Sequence, residues 1–255
     1  MLPVLLHIPH SSRHIPPEYM ADYFLPPDEL AAEQLRLVDL YTDELYQLDG
    51  AERAVFPVSR FLVDAERFSD DAQESMAARG MGALYTVTTD LKPLRPHPSA
   101  DLRQVFLQRY YYPHHAGLND WAARSIKQTG RALLVDCHSY PSRALPYELE
   151  NQALRRPEIG IGTDPFHTPP ALVDAVVSAF RNFGYDVGLN EPFAGTLTPA
   201  ACYGKEPHLY AFMIELRKDI YMDEKTGAKL PAFCDVQQNI SHVLAIARDT
   251  ASSLL

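Results

Sequence analysis

The chain has 255 residues, 46% of them hydrophobic and 22% charged, which are the proportions of a globular protein with a sizeable core. Its 23 basic and 33 acidic residues leave a net charge of −10, arguing against a nucleic-acid surface while allowing a locally basic pocket for a small anion. No stretch approaches the roughly 18 apolar residues of a membrane span; the scattered cysteines Cys137, Cys202 and Cys234 make no Cys-x-x-Cys pair, and the short apolar run after Met1 has no basic leader, so a reducing cytoplasm is expected.

In chain order, Val4-Leu5-Leu6 predicts a first strand ending near His7-Ile-Pro-His10. Pro26-Pro-Asp-Glu29 reads as a helix start, and Leu30 to Leu48 keeps helical spacing through Leu35, Val38, Tyr41, Leu45 and Leu48. An extended piece begins at Ala54 and continues through Ser59 to Arg67. As a strand it would place Arg60, Leu62, Asp64 and Glu66 on one face and Phe61, Val63 and Arg67 on the other. Residues 70–100, rich in glycine and proline, read as a long loop of the kind that is functional or disordered. Ser99 caps a helix over Ala100 to Tyr112, and a separate helix follows from His115 to Gln128. Ala132 to Val135 is a short apolar run that leads into Asp136-Cys-His138-Ser, a strand buried on both faces with a histidine at its carboxyl end. A loop is expected from Pro141 through Gly160 to Pro165, then a helix over Ala171 to Phe183 stopped by Gly184, a short strand over Tyr185 to Leu189, and turns from Asn190 to Pro199. Ala211 to Arg217 is the last strong strand, and a helix over Ala232 to Ser252 closes the chain. This alternation predicts one α/β domain over residues 1–255, with a mostly parallel, mixed sheet flanked by helices.

Strand ends in an open α/β sheet are where ligands bind, and here they carry His7, His10, Asp64, Glu66, His138 and Glu215. Catalytic zinc sites take three His, Asp or Glu ligands and leave one position open, and a nearby carboxylate accepts the proton of the activated water. Three residues apart on an extended segment, His7 and His10 are expected on opposite faces; His10 is the favoured ligand. Cys137 reads as a small core residue, and His97, His114 and His115 as surface or loop histidines, with His115 at a helix start within reach of a pocket. Ser11, Ser12 and Ser139 lack the Gly-x-Ser-x-Gly setting of a nucleophile, and no glycine-rich phosphate loop is present.

Ile8-Pro-His10-Ser-Ser with Ile15-Pro16, the segment Arg60 to Arg67, Asp136-Cys-His138-Ser, Asn190-Glu-Pro-Phe-x-Gly195 and Ile214-Glu215-Leu-Arg with Tyr221-Met-Asp-Glu224 together resemble the N-formylglutamate amidohydrolase family. The resemblance implies a zinc-carboxypeptidase-like fold and hydrolysis, by a metal-activated water, of the amide of a small N-formyl or N-acyl amino acid. It implies His10 and His138 as ligands of one Zn2+, Glu215 as general base, and Arg60 and Arg67 beside the substrate carboxylate, whose geometry suits the arginine fork. Arg217, on the same strand face as Glu215, is a further candidate. The chain departs from the wider pattern in having Arg13 where His-x-x-Glu would place a glutamate, so Asp64 or Glu66 must supply the carboxylate ligand. Asp64 is favoured, because Asp64-Ala-Glu66-Arg67 stands where many members have Asp-x-Asn-Arg. Two alternatives follow from the missing glutamate and from the wider superfamily: a non-catalytic carboxylate-binding protein, and a metallocarboxypeptidase acting on short peptides.

Overall fold

A computed structural model describes residues 1–148 and 154–254. The elements run β1 (Val4–Ile8), α1 (Pro27–Leu37), α2 (Thr42–Leu45), β2 (Glu52–Val55), α3 (Ala100–Phe106), α4 (Tyr112–Thr129), β3 (Ala132–Tyr140), β4 (Ile159–Thr163), α5 (Pro170–Asn182), β5 (Val187–Leu189), β6 (Leu209–Arg217) and α6 (Phe233–Ser253). The strands form a six-stranded sheet in the order β2-β1-β3-β6-β4-β5. All neighbours are parallel except β4 and β6, so the expected mostly parallel, mixed sheet flanked by helices is the one that forms.

The period-two alternation of the central strands decides where the site lies. Val4, Leu6 and Ile8 of β1, Leu133, Val135 and Cys137 of β3, and Phe212, Ile214 and Leu216 of β6 pack in one core with residues of α5 and α6. The intervening residues Leu5, Ala132, Leu134, Leu209 and Ala211 pack against Leu118, Trp121 and Ala122 of α4. Toward the carboxyl ends this second face stops being apolar and presents His7, Asp136, His138 and Glu215. The Tyr46 hydroxyl, just past α2, lies 3.0 Å from the carbonyl of His138 and 2.9 Å from that of Ile214, tying the two strands together there.

Five expectations are corrected. First, the helix over Leu30 to Leu48 stops at Leu37. Val38 is extended and Tyr41 has φ 70°, because the Asp39 amide bonds the His10 carbonyl at 2.9 Å instead of a helical one. Second, Ser59 to Arg67 is a succession of turns, not a strand. Phe61, Leu62, Val63 and Ala65 are all buried in a separate core with Met81, Tyr85 and Leu94, so no face alternates. The long loop over residues 70–100 has the little regular structure expected, but its inner side chains are packed in that core. Third, the two predicted helices after Ser99 join through a π-turn over Leu107–Tyr111. Pro113 has no N–H to give the carbonyl four residues back, and the Tyr112 amide bonds Leu107 across five residues. Fourth, β3 runs on through Tyr140, placing His138 inside the strand. Fifth, β4 forms where a loop is predicted.

The glycines of β4 explain the last point. A Cβ at Gly160 would press on the Glu191 carbonyl, and one at Gly162 would collide with the Gly195 carbonyl and Met213. They serve close backbone approach within a strand, not a turn. Gly162→Ala is expected to destabilise the protein by about 2 kcal/mol or more, measured as a lowered urea midpoint at unchanged m-value.

Candidate active site

Two registers set the floor. On the parallel pairs, His7 of β1 lies opposite Asp136 of β3, and His138 of β3 lies opposite Glu215 of β6. Asp136 Oδ1 is 2.8 Å from His7 Nδ1 and 3.1 Å from His138 Nε2, and its Oδ2 accepts from the Leu197 amide at 2.8 Å.

The wall comes from irregular backbone. His10 follows β1, Asp39 sits in the break between α1 and α2, and the turns over residues 59–67 bring in Arg60, Asp64, Glu66 and Arg67. Asp64 is fully buried. Its Oδ1 accepts from His10 Nε2 and from the Glu66 amide, each at 2.9 Å, and its Oδ2 accepts from Arg60 Nη2 at 2.9 Å and from the Tyr85 hydroxyl. Asp39 Oδ2 holds His138 Nδ1 at 3.1 Å. Each histidine is thus oriented by an outer carboxylate, the arrangement that fixes tautomer and direction in metal sites. The inner nitrogens face Glu66, with His138 Nε2 at 3.1 Å and His10 Nδ1 at 3.8 Å from Glu66 Oε2.

His10, Glu66 and His138 each offer one ligand atom within 4.8 Å of the other two. His10 Nδ1 is buried with no hydrogen-bond partner, an unsatisfied acceptor of the kind native interiors avoid. The charges point the same way. Burial and Arg60 act to lower the His10 pKa, but Asp64 and Asp39 outweigh them and raise it. Burial likewise opposes charge on His138, and Glu66, Asp136 and Asp39 push its pKa well above 6.5. Carboxylates that favour positive charge on both imidazoles also attract a dication, so the set fits a bound divalent metal.

Glu215 is buried, with Oε2 unpartnered. Loss of hydration lifts its pKa to about 8, against the opposing pull of His138. Together with Arg60, Arg67, Tyr140, Tyr147, Phe193 and Met213 it lines a cavity of about 240 Å³ that also reaches His10, Glu66 and His138.

Of the expected site residues, His10, Glu66, His138, Glu215, Arg60 and Arg67 converge on this cavity. Asp64, favoured on sequence as the carboxylate ligand, stands behind His10, its oxygens taken by His10, Arg60, Tyr85 and the Glu66 amide, while Glu66 faces both imidazoles. Arg217 is turned away, its Nε donating to Asp219 at 2.7 Å and its Nη1 to the Arg156 carbonyl at 2.8 Å. Arg13, at the position of the missing glutamate, donates to the Ala31 carbonyl. The expectation that His7 and His10 face apart fails, because β1 ends at Ile8 and the chain bends at His10; both rings come within 3.8 Å of Glu66. Sequence reasoning missed Asp39, and took His114 and His115 for surface or loop residues. They lie on α4, where His114 Nε2 is 2.9 Å from His7 Nε2 and His115 Nε2 donates to the Ala65 carbonyl at 2.8 Å. The latter bond holds the segment carrying Asp64 and Glu66.

Lys218, just after β6, is buried and donates from Nζ to the Arg36 carbonyl at 3.0 Å. Burial brings its pKa from 10.5 down to about 8, against the pull of Asp39 and Glu224. Between those pH values the unfolded chain binds more protons than the folded one, so this group's contribution to stability rises with pH. Lys218→Met removes the effect. Its stability relative to wild type is expected to fall by about 3 kcal/mol as pH rises from 8 to 10.5, measured by urea unfolding of both proteins across that window.

A model of the N-formylglutamate amidohydrolase family matches residues 2–222. The N-formylglutamate deformylase of Pseudomonas aeruginosa is 30% identical over 234 residues, covering 88% of this chain and 84% of that one. That of Pseudomonas putida is 27% identical, covering 88% and 83%. In fold, the chain matches the crystal structure of N-formylglutamate amidohydrolase from Ralstonia eutropha with a TM-score of 0.82 at 24% identity, covering 99% of this chain and 95% of that one. An Agrobacterium tumefaciens protein matches with a TM-score of 0.65 at 21% identity, covering 98% and 90%. The class is that of the amidohydrolases, hydrolases that open carbon–nitrogen amide bonds. Within it, the chain belongs to the N-formylglutamate amidohydrolase family. No helix among the described residues is long and apolar enough to cross a membrane.

Proposed function

We propose that the chain is a metal-dependent amidohydrolase that cleaves the amide of a small N-formyl or N-acyl amino acid such as N-formylglutamate. The observation that carries this is the convergence of two carboxylate-braced imidazoles on Glu66, with the unpartnered Glu215 on the adjoining strand. His10, Glu66 and His138 would hold one divalent ion, taken here as zinc on the chemistry of the donor set. When bound, such an ion supplies Lewis acidity toward a carbonyl oxygen and brings a water's pKa down to about 7.

The chain's own groups do the rest. Glu215 accepts the proton of the attacking water and delivers it to the departing amine as the C–O bond forms and the C–N bond breaks, leaving formate or another carboxylate and a free amino acid. Its raised pKa suits a group that must take up a proton and give it away. Asp64 and Asp39 keep the two imidazoles in place and take no part in proton transfer. Of the two arginines, Arg60 is tied to Asp64, Tyr85 and the Leu37 carbonyl. Arg67 makes only long ion pairs, from Nε to Asp64 Oδ2 at 3.9 Å and from Nη1 to Glu74 Oε1 at 3.8 Å, and its buried Nε has no hydrogen-bond partner, so it is the arginine that binds the substrate carboxylate, and Arg60 positions Asp64. Arg67→Met is expected to raise KM by about 10- to 100-fold with a smaller change in kcat, as for loss of a charged hydrogen-bonding partner; an unchanged KM would shift the carboxylate to Arg60.

The direct test is metal analysis of purified protein together with hydrolysis of a panel of N-formyl and N-acetyl amino acids and short peptides, before and after chelation. The expected result is activity on the N-formyl compounds that is lost on chelation and restored by zinc or cobalt. Full activity in a stringently metal-free sample would overturn the reading, and preference for peptides would move the chain to the carboxypeptidase alternative.

A further inference from the structure

We propose a second divalent-cation site on the floor of the cavity, formed by His7, Glu66 and Asp136 and adjoining the His10–Glu66–His138 site, on which the reading of a paired centre rests. The ligand-type atoms of His7, Glu66 and Asp136 lie within 4.8 Å of one another. His7 is fully buried and Asp136 nearly so, and His7 has no part in the first site.

The Glu66 carboxylate is shared by the two groups. Both its oxygens lie near His138 Nε2, Oε1 at 3.2 Å and Oε2 at 3.1 Å, while Oε1 reaches toward His7 Nδ1 at 3.7 Å and Oε2 toward His10 Nδ1 at 3.8 Å. Asp136 also touches both, its Oδ1 lying 2.8 Å from His7 Nδ1 and 3.1 Å from His138 Nε2. Carboxylates shared in this way between two ligand sets are the bridging ligands by which two ions are held about 3.5–4 Å apart in paired hydrolytic centres. Nitrogen and carboxylate donors of this kind suit Zn2+, Mn2+ or Co2+.

His114 completes the argument. Its Nε2 is 2.9 Å from His7 Nε2, and a single proton occupies that contact. With the proton on His7 Nε2, His114 accepts it and fixes the tautomer in which His7 Nδ1 is a bare lone pair facing two carboxylates. A cation satisfies that arrangement, and His114 then plays for His7 the part that Asp64 plays for His10. The opposite tautomer leaves an ordinary hydrogen bond from His7 Nδ1 to Asp136 and no second ion.

The test is metal stoichiometry of the full chain, loaded with Mn2+ or Zn2+ and freed of excess, for wild type, His7→Gln and His10→Gln. Two ions per chain in wild type, falling to one in His7→Gln, is the expected result. One ion in wild type, lost in His10→Gln and kept in His7→Gln, would overturn the second site while leaving the first intact; no retained ion would overturn both. Two ions undiminished by His7→Gln would place the second elsewhere and also overturn the proposal. A wild-type measurement stands even where a variant does not fold. Mn2+-loaded protein is expected to show the exchange-coupled electron paramagnetic resonance signal of a bridged pair, and uncoupled spectra at two ions per chain would sink it.

Discussion

Glu215→Gln is expected to lower kcat by about 10²- to 10⁴-fold, the range for loss of a general acid–base group, while metal content and thermal stability stay near wild type. Glutamine keeps the volume of the side chain and removes its basicity. Because Glu215 Oε2 has no hydrogen-bond partner and its carboxyl is disfavoured as an anion by burial, the neutral amide costs the fold little. The separation of effects is the point of the experiment. A variant that binds N-formyl amino acids with near-normal KM, holds its metal and does not turn over places Glu215 in proton transfer. Retention of a tenth or more of wild-type kcat would remove it from that role.

His138→Gln should be at least as damaging by a different route. It removes the imidazole that Asp39 aims at Glu66, and with it one of the proposed ligands. Loss of a Lewis acid worth several kcal/mol corresponds to a fall in kcat/KM on the order of 10³-fold or more, here accompanied by metal loss on dialysis. Asp64→Asn provides the graded comparison. It leaves the inner nitrogens in place but weakens the orientation of His10, for which a loss of about 10- to 100-fold in metal affinity is typical. The order His138→Gln below Asp64→Asn in retained metal, read by elemental analysis after dialysis, distinguishes an inner ligand from an outer one. The reverse order would put Asp64 in the ligand set and Glu66 outside it.

The strands that carry the chemistry were legible because burial on both faces leaves a continuous apolar run, as in Ala132 to Val135 and Ala211 to Ile214. Their alternation also correctly put Cys137 in the core. Asp39 was hidden for a physical reason. The spacing of Leu35, Val38, Tyr41 and Leu45 satisfies a helix, and the break at Val38 is imposed by a tertiary bond from the Asp39 amide to the His10 carbonyl, which no local pattern encodes. The segment Phe61-Leu62-Val63 did carry a warning. Three consecutive buried apolar residues do not fit a half-exposed strand, and the turns they form are what bring Arg60, Asp64, Glu66 and Arg67 to one cavity despite their mixed parity. Gly160 and Gly162 misled in the other direction, since in isolation a glycine needed for backbone contact looks the same as one needed for a turn. Pro113 lies in the gap between the two helices expected over Ala100 to Tyr112 and His115 to Gln128. The π-turn absorbs it, and the helix expected to begin at His115 instead begins at Tyr112 and carries His114 as well.

That π-turn over Leu107–Tyr111 also sets a phase. An α-helix advances about 100° per residue, so shortening the turn by one residue to restore regular winding would rotate α4 against α3 by about that angle. With α3 anchored by Phe106 in the loop core, His114 and His115 would swing off His7 and the Ala65 carbonyl, while Leu118, Trp121 and Ala122 left the sheet. With α4 anchored instead, Phe106 would leave its own core. The extra residue works as a timing offset between two packing surfaces, and the length of this segment is fixed as tightly as any side chain in the cavity.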